Sequence, residues 1–383
     1  MKEFFKKIGT TVKNGFSKTV SFFKSLVHEP PFRVAKKASI STRKALLIRV
    51  IAIVCALIFT SLLSVFLLKA NPIKFLLTMF NGNFGSSRRI WKLLKDASVL
   101  LGISLAITPA FRMKFWNIGA EGQTLVGAIA SAAAAFYLGG KVPNALLLVF
   151  MLLFAILAGA IWAGLPAIFK AIWNTNETLF TLMMNYVASG LLAFFLLLWT
   201  PSGSSVLGML PFGHLPVIYN EYLLLIISVL VITVVAYIYL QYTKQGYEIS
   251  VVGESENTAK YIGIKVGKVI IRTMLISGAI CGLTGFLIVG ALDHSVSETT
   301  VGGMGFTAIM VAWLAKFNPL IMIGTSLLIT FLDQGAAQLS TDFNVASAFP
   351  DIVVGIILFF IIGCEFFINY SIKRSDKKKK EVE

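Results

Sequence analysis

ALLLVFMLLFAILAGAIWAGLPAIF, residues 145–169, runs for 25 positions without one charged side chain. A helix of that length rises about 37 Å, more than the roughly 30 Å of hydrocarbon in a bilayer. A helix on the surface of a soluble core would present a polar stripe, and this one has none. The stretch therefore reads as a membrane span. Nine further apolar runs accompany it, at 46–68, 94–111, 118–138, 179–199, 222–240, 273–292, 304–316, 319–339 and 349–370. Ten spans imply an all-α integral membrane protein, and a chain with 57% hydrophobic and 14% charged residues fits that class. The second, third and eighth runs are marginal, being short or interrupted by polar residues.

The net charge of +16 sits mostly at the two ends. Residues 1–44 carry eleven Lys/Arg against two acids, and residues 371–383 carry six against three, so the tails supply (11 − 2) + (6 − 3) = +12. Basic flanks face the cytoplasm, and an even span count returns both termini to one side, so both tails are expected inside. Membrane lipids are their expected partner. The first tail alternates Phe4, Phe5, Lys6, Lys7 and Phe22, Phe23, Lys24, as an interfacial segment does. Nucleic acid is not expected as a partner, because no reader module accompanies the lysines. Residues 45–370 form the transmembrane domain in this reading, and 241–272 its longest cytoplasmic connection. Loop 69–92 dissents: Lys69, Lys74, Arg88, Arg89 and Lys92 fall outside by the count. Either the count is off by one there or these charges meet an external partner.

The marginal spans occupy matching places. Divided five plus five, 118–138 and 304–316 are the third span of each half, and Gly119-Ala-Glu-Gly-Gln-Thr124 aligns with Gly302-Gly-Met-Gly-Phe-Thr307. Five spans per half would make the halves inverted repeats, and glycine-broken helices at matched positions mark a midplane binding site. Polar residues inside spans are expensive and suggest function. Asn117, Glu121, Gln123 and Asn185 are the candidate pathway residues, with Asp333 ranked below them. The plainer alternative makes Glu121 and Glu177 helix N-terminal acids and Asn185 a tie to a neighbouring helix.

No GxxxxGK[ST] loop, GxSxG elbow or paired-histidine helix occurs, so the chain is read as no enzyme and as holding no metal or cofactor. Cys55, Cys281 and Cys364 lie in apolar runs and imply no disulfide framework. Any energy source is then an ion gradient or a second polypeptide, and the acids mostly lie near span ends, which disfavours ion coupling. In the long cytoplasmic loop, Ser255 is placed to cap a short helix and Gly263 to end it. Such a helix is marginal alone and invites a docking partner.

Four stretches together resemble the membrane subunits of ABC importers of the ribose and branched-chain amino-acid permease type. They are Asn117–Gln123, Asn176–Leu179 through Asn185-Tyr186, Gly246 through Gly263, and Ser277–Ala279 through Gly285. Within that family the chain looks most like the nucleoside-uptake branch, which works with a basic-membrane-protein lipoprotein. The resemblance implies a bacterial plasma-membrane permease paired with a second, similar permease and cytoplasmic ABC ATPases, which would hold the ATP and Mg. It also implies that Gly253, Glu254, Asn257, Ala259 and Gly263 belong to a coupling helix seated on the ATPase, and that Arg88 and Arg89 meet the lipoprotein. Sugars, branched-chain amino acids and an ion-coupled carrier remain the alternatives.

Overall fold

The computed structural model describes residues 32–37, 41–69, 71–200, 204–346 and 348–374. The Phe–Lys alternation of the first tail and His28 lie outside them. The chain divides into two compact units, one made of residues up to Leu76 together with those from Asp351 onward, the other Leu77–Pro350.

In the first unit, strand β1 (Phe32–Lys36) leads into helix α1 (Thr42–Leu68), then into the start of α2 (Pro72–Phe84), which crosses into the second unit. The second unit continues with α3 (Ser87–Arg112), α4 (Ala120–Leu138), α5 (Asn144–Trp173), α6 (Glu177–Trp199) and α7 (Leu223–Tyr242). Two short helices follow, α8 (Lys244–Glu254) and α9 (Glu256–Tyr261). Helix α10 (Val266–Leu287), a π-helical extension (Ile288–Asp293), α11 (Met304–Leu314) and α12 (Pro319–Asp342) complete the unit. Helix α13 (Ala348–Asn369) then returns to the first unit and ends in strand β2 (Tyr370–Arg374).

Each of the ten apolar runs is a helix, and the marginal ones are informative. Seven helices, α1, α5, α6, α7, α10 with its extension, α12 and α13, are long and apolar enough to cross a membrane. The three that are not, α3, α4 and α11, are the three marginal runs. Helices α3 and α4 are buried along most of their length, from Leu93 and Ala97 to Phe111 in α3 and from Ala120 to Ala135 in α4. A helix sheathed by protein need not be as greasy as one facing lipid, and that explains the weak hydropathy signal. Loop 69–92 is not a loop throughout, since it contains α2, whose 13 residues are too few to cross.

Small residues let the second unit close around α10. Gly278 packs directly on the carbonyl of Gly159, and Gly282 on that of Ala155, both on α5. From the other side Gly127 and Thr124 of α4 meet Gly282 and Gly285. No side chain separates these backbones, the arrangement that lets dispersion forces hold helices together where lipid removes the hydrophobic drive.

The all-α reading omits one element. Strands β1 and β2 pair antiparallel, with Val34 opposite Ile372 and Ala35 opposite Ser371. Near them in the same unit the Arg49 guanidinium donates to Glu365 Oε1, with Nε at 2.9 Å. The start of α1 and the end of α13 thus lie at one end of that unit.

Candidate functional site

Helix α3 ends at Arg112, and the chain then runs without helical structure until Gly119, the N-cap of α4. Backbone polar groups in such a break need partners, and two asparagines supply them. Asn117, wholly buried, accepts from Gly119 N through Oδ1 at 3.0 Å. Its amide exchanges hydrogen bonds with Gln123, at 3.0 and 3.2 Å, and reaches Ser277 Oγ of α10 at 3.3 Å. From α6, Asn185 Oδ1 accepts from Gly122 N and Nδ2 donates to Ile118 O, both at 2.9 Å. Thr181 Oγ1 accepts from Ile118 N at 3.1 Å. Asn117, Gln123 and Asn185 therefore stitch the break to its neighbours and are nearly closed to solvent.

Glu121 does something different. Its carboxylate accepts from Gly303 N at 2.8 Å and from Gly305 N at 2.7 Å, the first amides of α11. Gly302 and Gly303 both take positive φ, which turns the chain into α11, and Gly305 lies against the Glu121 backbone. The positive ends of two helix dipoles, α4 and α11, share one carboxylate. The glycine-broken segments that align in sequence meet in space. Their N-caps, Gly119 and Gly303, are 303 − 119 = 184 positions apart, one more than the sequence alignment placed them.

Beside this junction lies a cavity of about 250 Å³ lined by α3, α11 and α12. Lys92, Asp96, Thr307, Thr330, Asp333 and Gln334 give it polar walls. Asp96 pairs with Lys95 at 2.9 Å. Of these residues Lys92 stands out in the sequence as part of a basic loop, Thr307 through the glycine-segment alignment, and Asp333 weakly as a pathway candidate. The others sit at the charged start of α3 and in α12, where periodicity alone does not say which residues converge.

At the far end of α3, Arg112 donates to Leu240 O, the end of α7, at 3.3 Å, and Gly253 packs on the Arg112 carbonyl without room for a Cβ. Helices α8 and α9 form an elbow there over a buried apolar cluster that includes Met113, Phe115, Ile249, Val252, Ala259 and Met274. Ser255 Oγ caps α9 by accepting from Thr258 N at 3.2 Å, and Gly263 ends the turn with φ +86°. Gly253 and Ala259 face inward, whereas Glu254, Asn257 and Gly263 are exposed. Tyr261 is 93% exposed and Ile262 half exposed, an apolar tip that sequence reading missed. Lys92 and Arg112 are 20 positions apart on one helix, about 30 Å. Arg88 is exposed near the cavity end of α3, and Arg89 donates to Asn81 O at 2.7 Å.

Glu177 pairs with Lys170 at 3.0 Å across the α5–α6 turn, and Asn176 caps α6 through Leu179 N. His214 and His294 are far apart in sequence but stack with ring centroids 4.0 Å apart. Nearby, Leu207 and Leu210 donate from their backbone amides to Val296 and His294 carbonyls.

A protein family described as a branched-chain amino acid transport system permease component matches residues 89–362. The chain is similar to the glucose ABC transporter permease protein TsgB13 of Haloferax volcanii, 27% identical over 80% of this chain and 84% of that one. It is similar to the guanosine ABC transporter permease protein NupP of Bacillus subtilis, 28% identical over 78% and 88%. The nucleoside ABC transporter permease protein NupB of Lactococcus lactis is 26% identical over 88% of this chain and 98% of its own. The matched region takes in the α4–α11 junction, the cavity and the elbow, and the chain belongs to the family of branched-chain amino acid transport system permease components.

Proposed function

We propose that this chain is the membrane permease subunit of an ATP-driven ABC importer for nucleosides, purine nucleosides foremost. The observation that carries the reading is α3, which lines a polar cavity at Lys92 and Asp96 and carries the seat of the α8–α9 elbow at Arg112. A motor that moves the elbow would reach the cavity wall through one continuous helix, α3. Relatives named for guanosine and nucleosides support the substrate class. Glucose in the name of the Haloferax relative and the ribose of a nucleoside share a hydroxylated ring, so a simple-sugar permease is the second reading.

In this proposal ATP and Mg are bound by separate cytoplasmic ATPases, whose groove receives the coupling helix at the Glu254, Asn257 and Gly263 face. A second, homologous permease completes the path, and an external lipoprotein delivers solute near Arg88 and Arg89. The ten helices formed by the apolar runs serve as spans in two inverted five-helix repeats, with α4 and α11 as the broken members. Their N-termini meeting at Glu121 supports that symmetry. The paired strands at the start of α1 and end of α13 support both termini lying on one side, the cytoplasmic side of a bacterial plasma membrane. Asn117, Gln123 and Asn185 border the path and hold its broken helix, while Glu121 holds the opposing one.

Uptake of labelled guanosine by vesicles containing the permease pair, the ATPase and the lipoprotein tests the reading. Import that depends on internal ATP is expected, and import driven by an ion gradient without ATP would sink it. The elbow has its own test. Tyr261→Ala should weaken ATPase association by about 2 kcal/mol, some 30-fold, as loss of an exposed aromatic anchor does, while insertion stays normal. Undiminished association would place the ATPase elsewhere. Gly263→Pro and Ala259→Trp are blunter, because proline forbids the positive φ and tryptophan splits the buried side of the elbow.

A further inference from the structure

We infer that the α3–α11–α12 cavity is a subsite for the neutral, hydroxylated ring of the solute, holding a sugar's vicinal hydroxyls and leaving any base outside. The inference rests on the transport reading above and names the part of the solute that is held.

The volume of about 250 Å³ is below the roughly 300 Å³ at which pockets begin to enclose drug-sized ligands, so one ring is the natural occupant. The lining matches a polyol. Asp96 and Asp333 offer carboxylate oxygens that accept hydroxyl protons, Lys92 offers donors to hydroxyl oxygens, and Thr307 and Thr330 do either. Leu100 and Met304 give an apolar side for a sugar's C–H face.

Gln334 adds an independent observation. Its Nε2 is spent on the carbonyls of Gly82 and Arg89, each at 3.3 Å, and its Oε1 is buried with no partner. A buried acceptor without a donor is costly, and a hydroxyl entering the cavity that Gln334 lines is the donor it lacks.

An anionic ligand does not fit. The N-terminal amides of α11, the natural phosphate seat, are already held by the Glu121 carboxylate. With Asp96 paired to Lys95, the remaining Asp333 and Lys92 balance, so the walls offer a phosphate no net positive charge, and nucleotides and sugar phosphates are disfavoured relative to nucleosides.

The test uses the full chain with its partners in proteoliposomes. Cys55→Ala removes the exposed native thiol, the other two being buried, and Thr307→Cys or Ala337→Cys places a reporter in the cavity wall. A membrane-impermeant thiosulfonate is expected to modify each reporter from outside. Guanosine and ribose should slow that reaction about tenfold, the scale of discrimination expected where a hydroxyl fills a hydrogen-bonding site. Guanine and GMP should not slow it. Protection by glucose or ribose without any guanosine uptake by the unsubstituted protein would sink the nucleoside reading and keep the subsite. Guanosine uptake with no protection by ribose, protection by guanine alone, or reporters that never react from outside would each overturn the subsite.

Discussion

Gly282→Leu should leave almost no assembled protein, and Gly282→Ala should lower stability by roughly 3 kcal/mol, a fall in Tm of about 6–12 °C for a unit of this size. A Cβ at Gly282 would run into the Ala155 carbonyl and the backbone at Ile156, neither of which is the end of a flexible side chain. Relief requires α5 and α10 to move apart, which also opens the Gly159–Gly278 contact next to it and the Gly127 contact on α4. Gly324→Ala is the control, since a Cβ there meets nothing within 4 Å and alanine is the better helix former. Thermal unfolding in mild detergent checks the pair, and equal behaviour of the two alanine variants would refute close backbone packing as the organiser of this bundle.

Hydropathy made the lipid-facing helices easy to read and the sheathed ones hard, for the same reason. Residues 145–169 announce a span because α5 turns much of its surface outward, as Leu153, Leu157 and Ile161 do. Helix α4 reads weakly because Ala, Gly, Ser and Thr are what a helix needs when other helices touch it closely. Helix α3 hid the start of its length behind Arg88, Arg89 and Lys92, charges that looked like a loop. Strand pairing between residues near the two termini depends on a contact some 330 positions long, beyond what any local pattern records.

At the site, the sequence marked where helices break but not what the break is for. Asn117, Gln123 and Asn185 stood out as costly intramembrane polar groups, and most of their hydrogen-bonding capacity is spent on one another and on open backbone. Asp96 and Thr330 escaped notice because an acid in the charged start of a helix and a threonine in mid-helix are ordinary, and Lys92 read only as part of a basic loop; they gain meaning when α3 and α12 converge. The elbow was the most legible part, since a capping serine and a closing glycine are local signals.

Glu121 separates two views of the junction by experiment. If its carboxylate is the fastener between α4 and α11, Glu121→Gln should cost about 1.5–3 kcal/mol, the range for a hydrogen bond to a charged group. The amide keeps one acceptor for Gly303 or Gly305 and turns an N–H toward the other, so one charge-assisted bond becomes a repulsion. Glu121→Ala should cost at least as much, because both amides then lose their partner and the α11 dipole loses its counter-charge. Glu121→Asp should rescue little, its side chain being one methylene too short to span both amides. Each variant should unfold earlier and expose the segment before α11 to protease, and guanosine transport should fall through Vmax with KM nearly unchanged. A direct solute contact would give the opposite split: a raised KM, normal thermal stability and an intact segment. The geometry favours the first outcome, because both carboxylate oxygens are engaged with backbone before any solute arrives.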